Sequence, residues 1–390
     1  MKRRSLKIAA SLALALALAI SLFALVACSG SGGNSGIEQL TFIRNSADSL
    51  TLSWVDSSDS GSEAYTVVRR CADQEDAQWT VVGSIESDGA ADGKAVEFID
   101  ELPSSDPIIY EYRVIPKGAS EVEELVAKDR VDSAPGASIY ASSILICLDP
   151  GHYAGCNDVP DGEYPYCEGD VMLDLAKALQ EDLLGYGITC KLTRDSGSIT
   201  LGGLTDADLD SANLSLRGEQ AEGCNLFISL HTDSNQENVN RHETFDQPIG
   251  ITKTIVLMNK QAVKDPYAIA VGNEIGKRVT AANYEHGYAS LEEFGAAESF
   301  ADMTAWTDEF NDALHTKGTL CYSNKGDARD YGVLEGADSV GVSGLVIEHA
   351  FHTVPVMRKA FNKDEGLVAE WAACDAEGIA VGFGFFIEED

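Results

Sequence analysis

Two histidines and two glutamates are the residues of this chain best placed to do chemistry together: His152, Glu168, His231 and Glu348. His152 closes ICLDPGH, His231 closes LFISLH, and Glu348 follows the apolar run in GLVIEH. All three sit at or just past the end of a strand-like stretch. Glu168 instead opens EGDVMLDLAKAL, which has the spacing of an amphipathic helix. His, Glu and His can fill three corners of a tetrahedral zinc site and leave the fourth to water. A further glutamate is then available to move protons.

Each residue also has a plainer reading. One loop histidine needs no explanation, but two at equivalent strand ends do, and Gly151 lets the chain turn sharply before His152. A carboxylate at a helix start is stabilised by the helix dipole, which would account for Glu168 without a metal. Glu163 in the same loop is a competing ligand. An acidic residue at the end of a buried strand costs free energy unless it is paired or functional. Glu348 is therefore either a base with a raised pKa or the partner of Arg217, Arg329 or Arg358.

The elements that must position these residues begin near Ile144. Ile144–Leu148 reads as a buried strand, and the helix from Glu168 carries Met172, Leu175, Leu179 and Leu183 on one stripe. Strands follow at 187–193, 225–230, 252–258 and 345–347, with helices at 211–222, from Asp265-Pro266 onward, and at 364–380. This alternation predicts an α/β domain over 144–390, a largely parallel sheet with helices on both faces. Ligands in such sheets gather at the carboxyl ends of strands, where His152, His231 and Glu348 fall. The stretch 281–330, with Tyr284, Phe294, Phe300, Trp306 and Phe310, exceeds what that fold needs. It reads as a helical insertion shaping a substrate groove.

Residues 37–135 have a different pattern: short alternating strands separated by Ser/Asp/Gly-rich turns, the signature of an all-β sandwich. Trp54 in SLTLSW and the Tyr110-x-Tyr112-x-Val114 run resemble the fibronectin type III domain. No histidine precedes His152, so this region reads as a spacer or as a docking surface for another surface protein. Ala134-Pro-Gly-Ala-Ser marks a linker over 136–143.

The N-terminus reads as an export signal over 1–27, with a basic start and an apolar run from Ile8 to Ala27. Leu25-Val26-Ala27-Cys28 resembles the bacterial lipobox, which implies a lipid on Cys28 and a Ser/Gly tether to residue 36. The expected location is extracytoplasmic, on the membrane and facing the wall. The 390-residue chain has 28 Lys+Arg against 63 Asp+Glu, a net charge of −35, which opposes unaided binding to nucleic acid or anionic lipid. No cysteine pair has C-x-x-C spacing. Cys156 and Cys167 flank one loop, and an exported protein could join them.

The second half resembles the zinc-dependent N-acetylmuramoyl-L-alanine amidases of bacterial cell-wall turnover. The resemblance rests on LICLDPGH, on the E-x4-L helix start from Glu168 to Leu173, on LSLRGEQAEGCNLFISLH and on GLVIEHAFHT. It implies His152, Glu168 and His231 as ligands of one zinc ion and Glu348 as the catalytic group. It places Arg217 at the family's arginine position, read as substrate-binding, and favours Glu168 over Glu163. Peptidoglycan is the implied substrate and zinc-assisted amide hydrolysis the implied reaction. His349 and His352 depart from the family pattern. Two other readings stay open: a zinc peptidase acting on wall peptides, and an inactive wall-binding lipoprotein.

Overall fold

The computed structural model describes residues 36–56, 64–74, 76–86, 95–117, 122–159, 164–233, 254–287, 296, 302–305, 320–322, 331–352, 357–359 and 366–386. The signal, Cys28, Glu163, Arg329 and the aromatics Phe294, Phe300, Trp306 and Phe310 lie outside the described residues. No helix among the described residues is long and apolar enough to cross a membrane.

Among the described residues the N-terminal region is mostly β, with a short helix, α1 (Val122–Ala127), and a 3-10 turn at Val131–Ser133. Its strands are β1 (Ile37–Ser46), β2 (Ser49–Asp56), β3 (Ala64–Cys71), β4 (Thr80–Glu86), β5 (Ala95–Glu101), β6 (Ile109–Pro116) and β7 (Ala137–Ser142). They form one sheet in the order β1-β2-β5 and another in the order β4-β3-β6-β7, antiparallel throughout. Alternation in the sequence decides which side chains go in. Leu50, Leu52 and Trp54 of β2 share a core with Tyr65 and Val67 of β3 and with Tyr112 and Val114 of β6. Trp54 meets Tyr65 edge-on at 5.3 Å.

The linker expected over 136–143 is not a linker. Residues 137–142 are β7, paired with β6 from Ile109↔Ser142 to Val114↔Ala137. The Pro-Gly pair marks the turn into a strand, and Ile139 and Ala141 alternate inward.

The second region is built on a seven-stranded sheet in the order β11-β8-β14-β18-β15-β17-β16. Its strands are β8 (Leu145–Pro150), β11 (Thr189–Leu192), β14 (Leu226–Asp233), β15 (Ile255–Met258), β16 (Thr304–Ala305), β17 (Leu320–Tyr322) and β18 (Gly344–Phe351). Two short ribbons, β9 (Asp158–Val159) with β10 (Tyr166–Cys167) and β12 (Thr200–Leu201) with β13 (Leu204–Thr205), lie outside it. The helices are α2 (Glu168–Gly185), α3 (Ser215–Glu219), α4 (Pro266–Glu285), α5 (Gly332–Ser339) and α6 (Leu367–Gly382).

The sheet is largely parallel, as expected, with one reversal that makes it mixed. β15 runs antiparallel to β18, while the other pairings are parallel. β15 starts at the end of the sheet where β14 finishes, so no crossover along the sheet is needed between them. Helices do cover both faces. A Cβ built at Gly344 would meet Leu334 and Ala337 of α5. His349, on the opposite face of the same strand, lies 5.1 Å from the ring of Trp371 in α6. Helix α6 packs on α2 and α4, and α3 packs on α5.

Helix α4 begins as its sequence signals: Asp265 accepts a hydrogen bond from Tyr267 N at 3.0 Å, and Pro266 fills the first turn. Of the expected helical insertion at 281–330, the start is the end of α4, and β16 and β17 extend the sheet edge. Their side of the sheet is anchored by Leu320 and Cys321, both buried. All eight described cysteines are thiols, so Cys156 and Cys167 are not joined. Cys167 Sγ instead donates to Cys156 O at 3.5 Å.

Candidate functional site

His152, Glu168 and His231 converge. One donor atom from each lies within 4.8 Å of the others. His152 Nε2 is 3.2 Å from Glu168 Oε2, and His231 Nδ1 is 3.1 Å from Glu168 Oε1. A tetrahedron of ligands around zinc has edges of about 3.3–3.5 Å, so the spacing and the donor types suit that ion. Glu168 is fully buried, and its other contacts come from Thr232 N at 2.8 Å and from the Asn157 amide. Burial alone would push its carboxyl up, but the two imidazoles outweigh this and hold it well below the usual carboxylate range. Burial likewise works against the charged form of His152, yet hydrogen bonds to Asp210 and Glu168 raise its pKa to about 10. His231 is lowered by burial despite Glu168 beside it.

Close backbone approach places these ligands. A Cβ on Gly151 would lie 2.5 Å from Leu230 O and 2.6 Å from His231 Cε1. A Cβ on Gly169 would lie 1.9 Å from Tyr153 O, so the head of α2 can approach the His152 loop only with glycine there. His152 itself has φ 59°, a left-handed conformation that few side chains adopt. Arg194 staples the same loop: its guanidinium donates to Pro150 O at 3.1 Å, to Gly151 O at 3.0 Å and to Gly169 O.

Arg217 is 1% exposed. Its Nε donates to Asp149 Oδ1 at 3.0 Å, Nη2 to Pro150 O at 2.7 Å and Nη1 to Asp210 Oδ1 at 3.3 Å. All three of its nitrogens are thus engaged with the protein, beside the substrate-binding role expected of it. Arg194, Asp149, Asp210, Ser229, Asn157 and Asp233 were not singled out from the sequence. For Asp149 the signal was available, since it stands three residues before His152 at the end of a buried strand. Asp210 and Arg194 reach the site from loops whose sequences give no sign of it.

Glu348 is the register partner of His231 across β14 and β18, so both point to the face covered by α3 and α5. Its Oε2 is buried and accepts no hydrogen bond from the described residues. Burial, then the charges of Asp233 and Glu168, push its pKa well above the ordinary value. Neither Arg217 nor Arg358 pairs with it: Arg358 donates to His352 O at 2.6 Å. The two residues that depart from the family pattern are both buried. His349 is fully buried between Asp375 Oδ2 at 2.8 Å and His231 O at 3.2 Å. His352 stacks on Tyr166 at 5.7 Å, and its Nδ1 lies 2.9 Å from Thr232 O.

Among solved structures, the amidase AmiC2 of Nostoc punctiforme is 18% identical, with 62% of this chain and 96% of that one covered and a TM-score of 0.36. The CwlD amidase of Clostridioides difficile, solved in complex with the GerS lipoprotein, is 15% identical over 61% of this chain and 98% of its own, with a TM-score of 0.38. An N-acetylmuramoyl-L-alanine amidase from Clostridium difficile 630 is 16% identical over 61% and 94%, with a TM-score of 0.34. No curated protein matches the chain. The family Amidase_3, described as N-acetylmuramoyl-L-alanine amidase, matches residues 146–380, which is more than half of the chain and contains all four residues of the site. The chain therefore belongs to the N-acetylmuramoyl-L-alanine amidase family.

Proposed function

We propose that this amidase works with one zinc ion held by His152, Glu168 and His231, and with Glu348 as its proton-transfer group. The activity itself is that of the family, hydrolysis of the peptidoglycan amide between N-acetylmuramic acid and the L-alanine of the stem peptide. The observation that carries the zinc reading is the convergence of three donor atoms within 4.8 Å around a fully buried carboxylate. A cation there supplies Lewis acidity, making water more acidic and polarising the scissile carbonyl. Glu348 takes the proton of the attacking water and returns one to the departing alanine nitrogen. Its pKa is raised above the ordinary carboxylate value by burial, Asp233 and Glu168, and its buried Oε2 accepts no hydrogen bond from the described residues.

The outer parts of the molecule extend this reading. A lipid on Cys28, implied by the lipobox, would fix the protein to the outer face of the membrane, and stable attachment takes more than one acyl chain. Two antiparallel sheets of three and four strands around a shared core support a fibronectin type III-like sandwich. A surface protein is the partner such a module would take. The test is digestion of purified peptidoglycan with and without a chelator, followed by mass analysis. Free intact stem peptides that disappear with chelator support the proposal. Cuts within the peptide would make the chain a wall peptidase. Binding without release would make it a non-enzymatic wall protein.

A further inference from the structure

We propose that the two histidines present opposite ring nitrogens to the cation, His152 its Nε2 and His231 its Nδ1, because one buried cluster fixes both tautomers from behind. This rests on the zinc reading above. Behind His152, Nδ1 lies 3.0 Å from Asp210 Oδ2. Asp210 also takes Arg217 Nη1 at 3.3 Å on its other oxygen, and the Cys156 thiol at 3.1 Å. A carboxylate so engaged only accepts, so the imidazole proton sits on Nδ1. The lone pair is then on Nε2, the nitrogen that faces Glu168.

Behind His231 the order is reversed. Its Nε2 lies 3.0 Å from Ser229 Oγ, and that hydroxyl donates its single proton to Asp149 Oδ2 at 2.7 Å. Asp149 is fully buried and takes Arg217 Nε at 3.0 Å and the Thr193 hydroxyl on its other oxygen. It too only accepts. Ser229, having given its proton away, accepts from His231, so Nε2 carries the hydrogen and Nδ1 turns its lone pair toward Glu168.

Arg217 joins the two halves. Its three nitrogens reach Asp149, Asp210 and the carbonyl of Pro150, two residues before His152. A lysine offers one nitrogen and cannot span these acceptors. Asp210, Asp149, Ser229 and Arg217 are thus positioning residues that set which nitrogen each ligand offers.

Two measurements on the full chain test this. First, the protein is labelled with 15N at its seven histidines, loaded with zinc chloride and followed by long-range proton–nitrogen spectra. The signals of His152 and His231 are identified by their loss in His152→Ala and His231→Ala. The expected result is a protonated Nδ1 with a metal-shifted Nε2 for His152, and the reverse for His231. Coordination of both through the same nitrogen overturns the inference. Second, zinc affinity is measured by competition with a chelator. Ser229→Ala and Asp210→Asn are each expected to weaken zinc by about 10–100-fold, and Ser229→Thr, which keeps the hydroxyl, to restore most of the loss. Zinc binding unchanged by His231→Ala would sink the metal reading itself. Loss with His231→Ala but full affinity in Ser229→Ala and Asp210→Asn would sink only this one.

Discussion

Glu348 is the residue whose environment most constrains the chemistry. Its carboxyl is pushed up first by burial, then by Asp233 and Glu168. It must be ionised to accept a proton, so kcat/KM on a soluble muropeptide should rise with pH through a midpoint above the ordinary carboxylate value. Asp233→Asn removes a neighbouring negative charge and should move that limb to lower pH. Glu348→Gln should keep stoichiometric zinc and lose the limb together with at least ~100-fold in turnover. A profile unmoved by Asp233→Asn would contradict this account of the pKa. His152 predicts a second pH effect, on stability without metal. Its pKa, raised to about 10 in the fold by Asp210 and Glu168, lies above the ordinary histidine value of about 6.5, so its contribution is full below that lower value and lost as pH rises toward the higher one. The Tm of chelator-treated protein should fall over that window, and His152→Gln should flatten the fall. The sequence made the four site residues legible because each stands where an apolar pattern breaks. It did not reveal Asp210 or Ser229, whose roles depend on contacts between segments far apart in the chain.

Elements, not single contacts, hold the ligands in place. The head of α2 meets the loop after β8 backbone to backbone, and Gly169→Ala would force them apart. It should cost about 1–3 kcal/mol in urea unfolding and weaken zinc as Glu168 retreats from His152. Helix α3 delivers Arg217 to the end of β8, against Asp149 and Pro150. Arg217→Ala strands the fully buried Asp149 and should destabilise by about 3–5 kcal/mol, while a normal stability would mean that Asp149 finds another donor. Most elements were visible in the pattern: the helix stripe from Met172, the Asp265-Pro266 start of α4 and the strand runs. The reversal of β15 was not, because an apolar run reads the same in either direction. The last strand of the all-β region was hidden for a different reason. Its small residues and the preceding Pro-Gly resemble a loop until β6 is there to pair with it. The 281–330 segment also cannot be deleted cleanly, since β17 lies within it and its Leu320 and Cys321 are buried.

At the scale of the molecule, the two regions are joined by packing as well as by the chain. Ser142 Oγ donates to Gly187 O at 2.7 Å, and Phe386 N donates to Ala72 O at 2.7 Å. Phe385 meets Tyr140 and Tyr186 edge-on, both at 5.0 Å. The full chain should therefore unfold in one calorimetric transition, and Phe385→Ala should split it in two. Two transitions in the parent protein would show that the halves melt independently. Between the end of β7 and the start of β8 stand only Ser143 and Ile144, both buried. A push on the N-terminal sheets is thus transmitted straight to the strand that leads into His152. The catalytic face has no swivel of its own, and its aim at a glycan strand is set by whatever orients the N-terminal half.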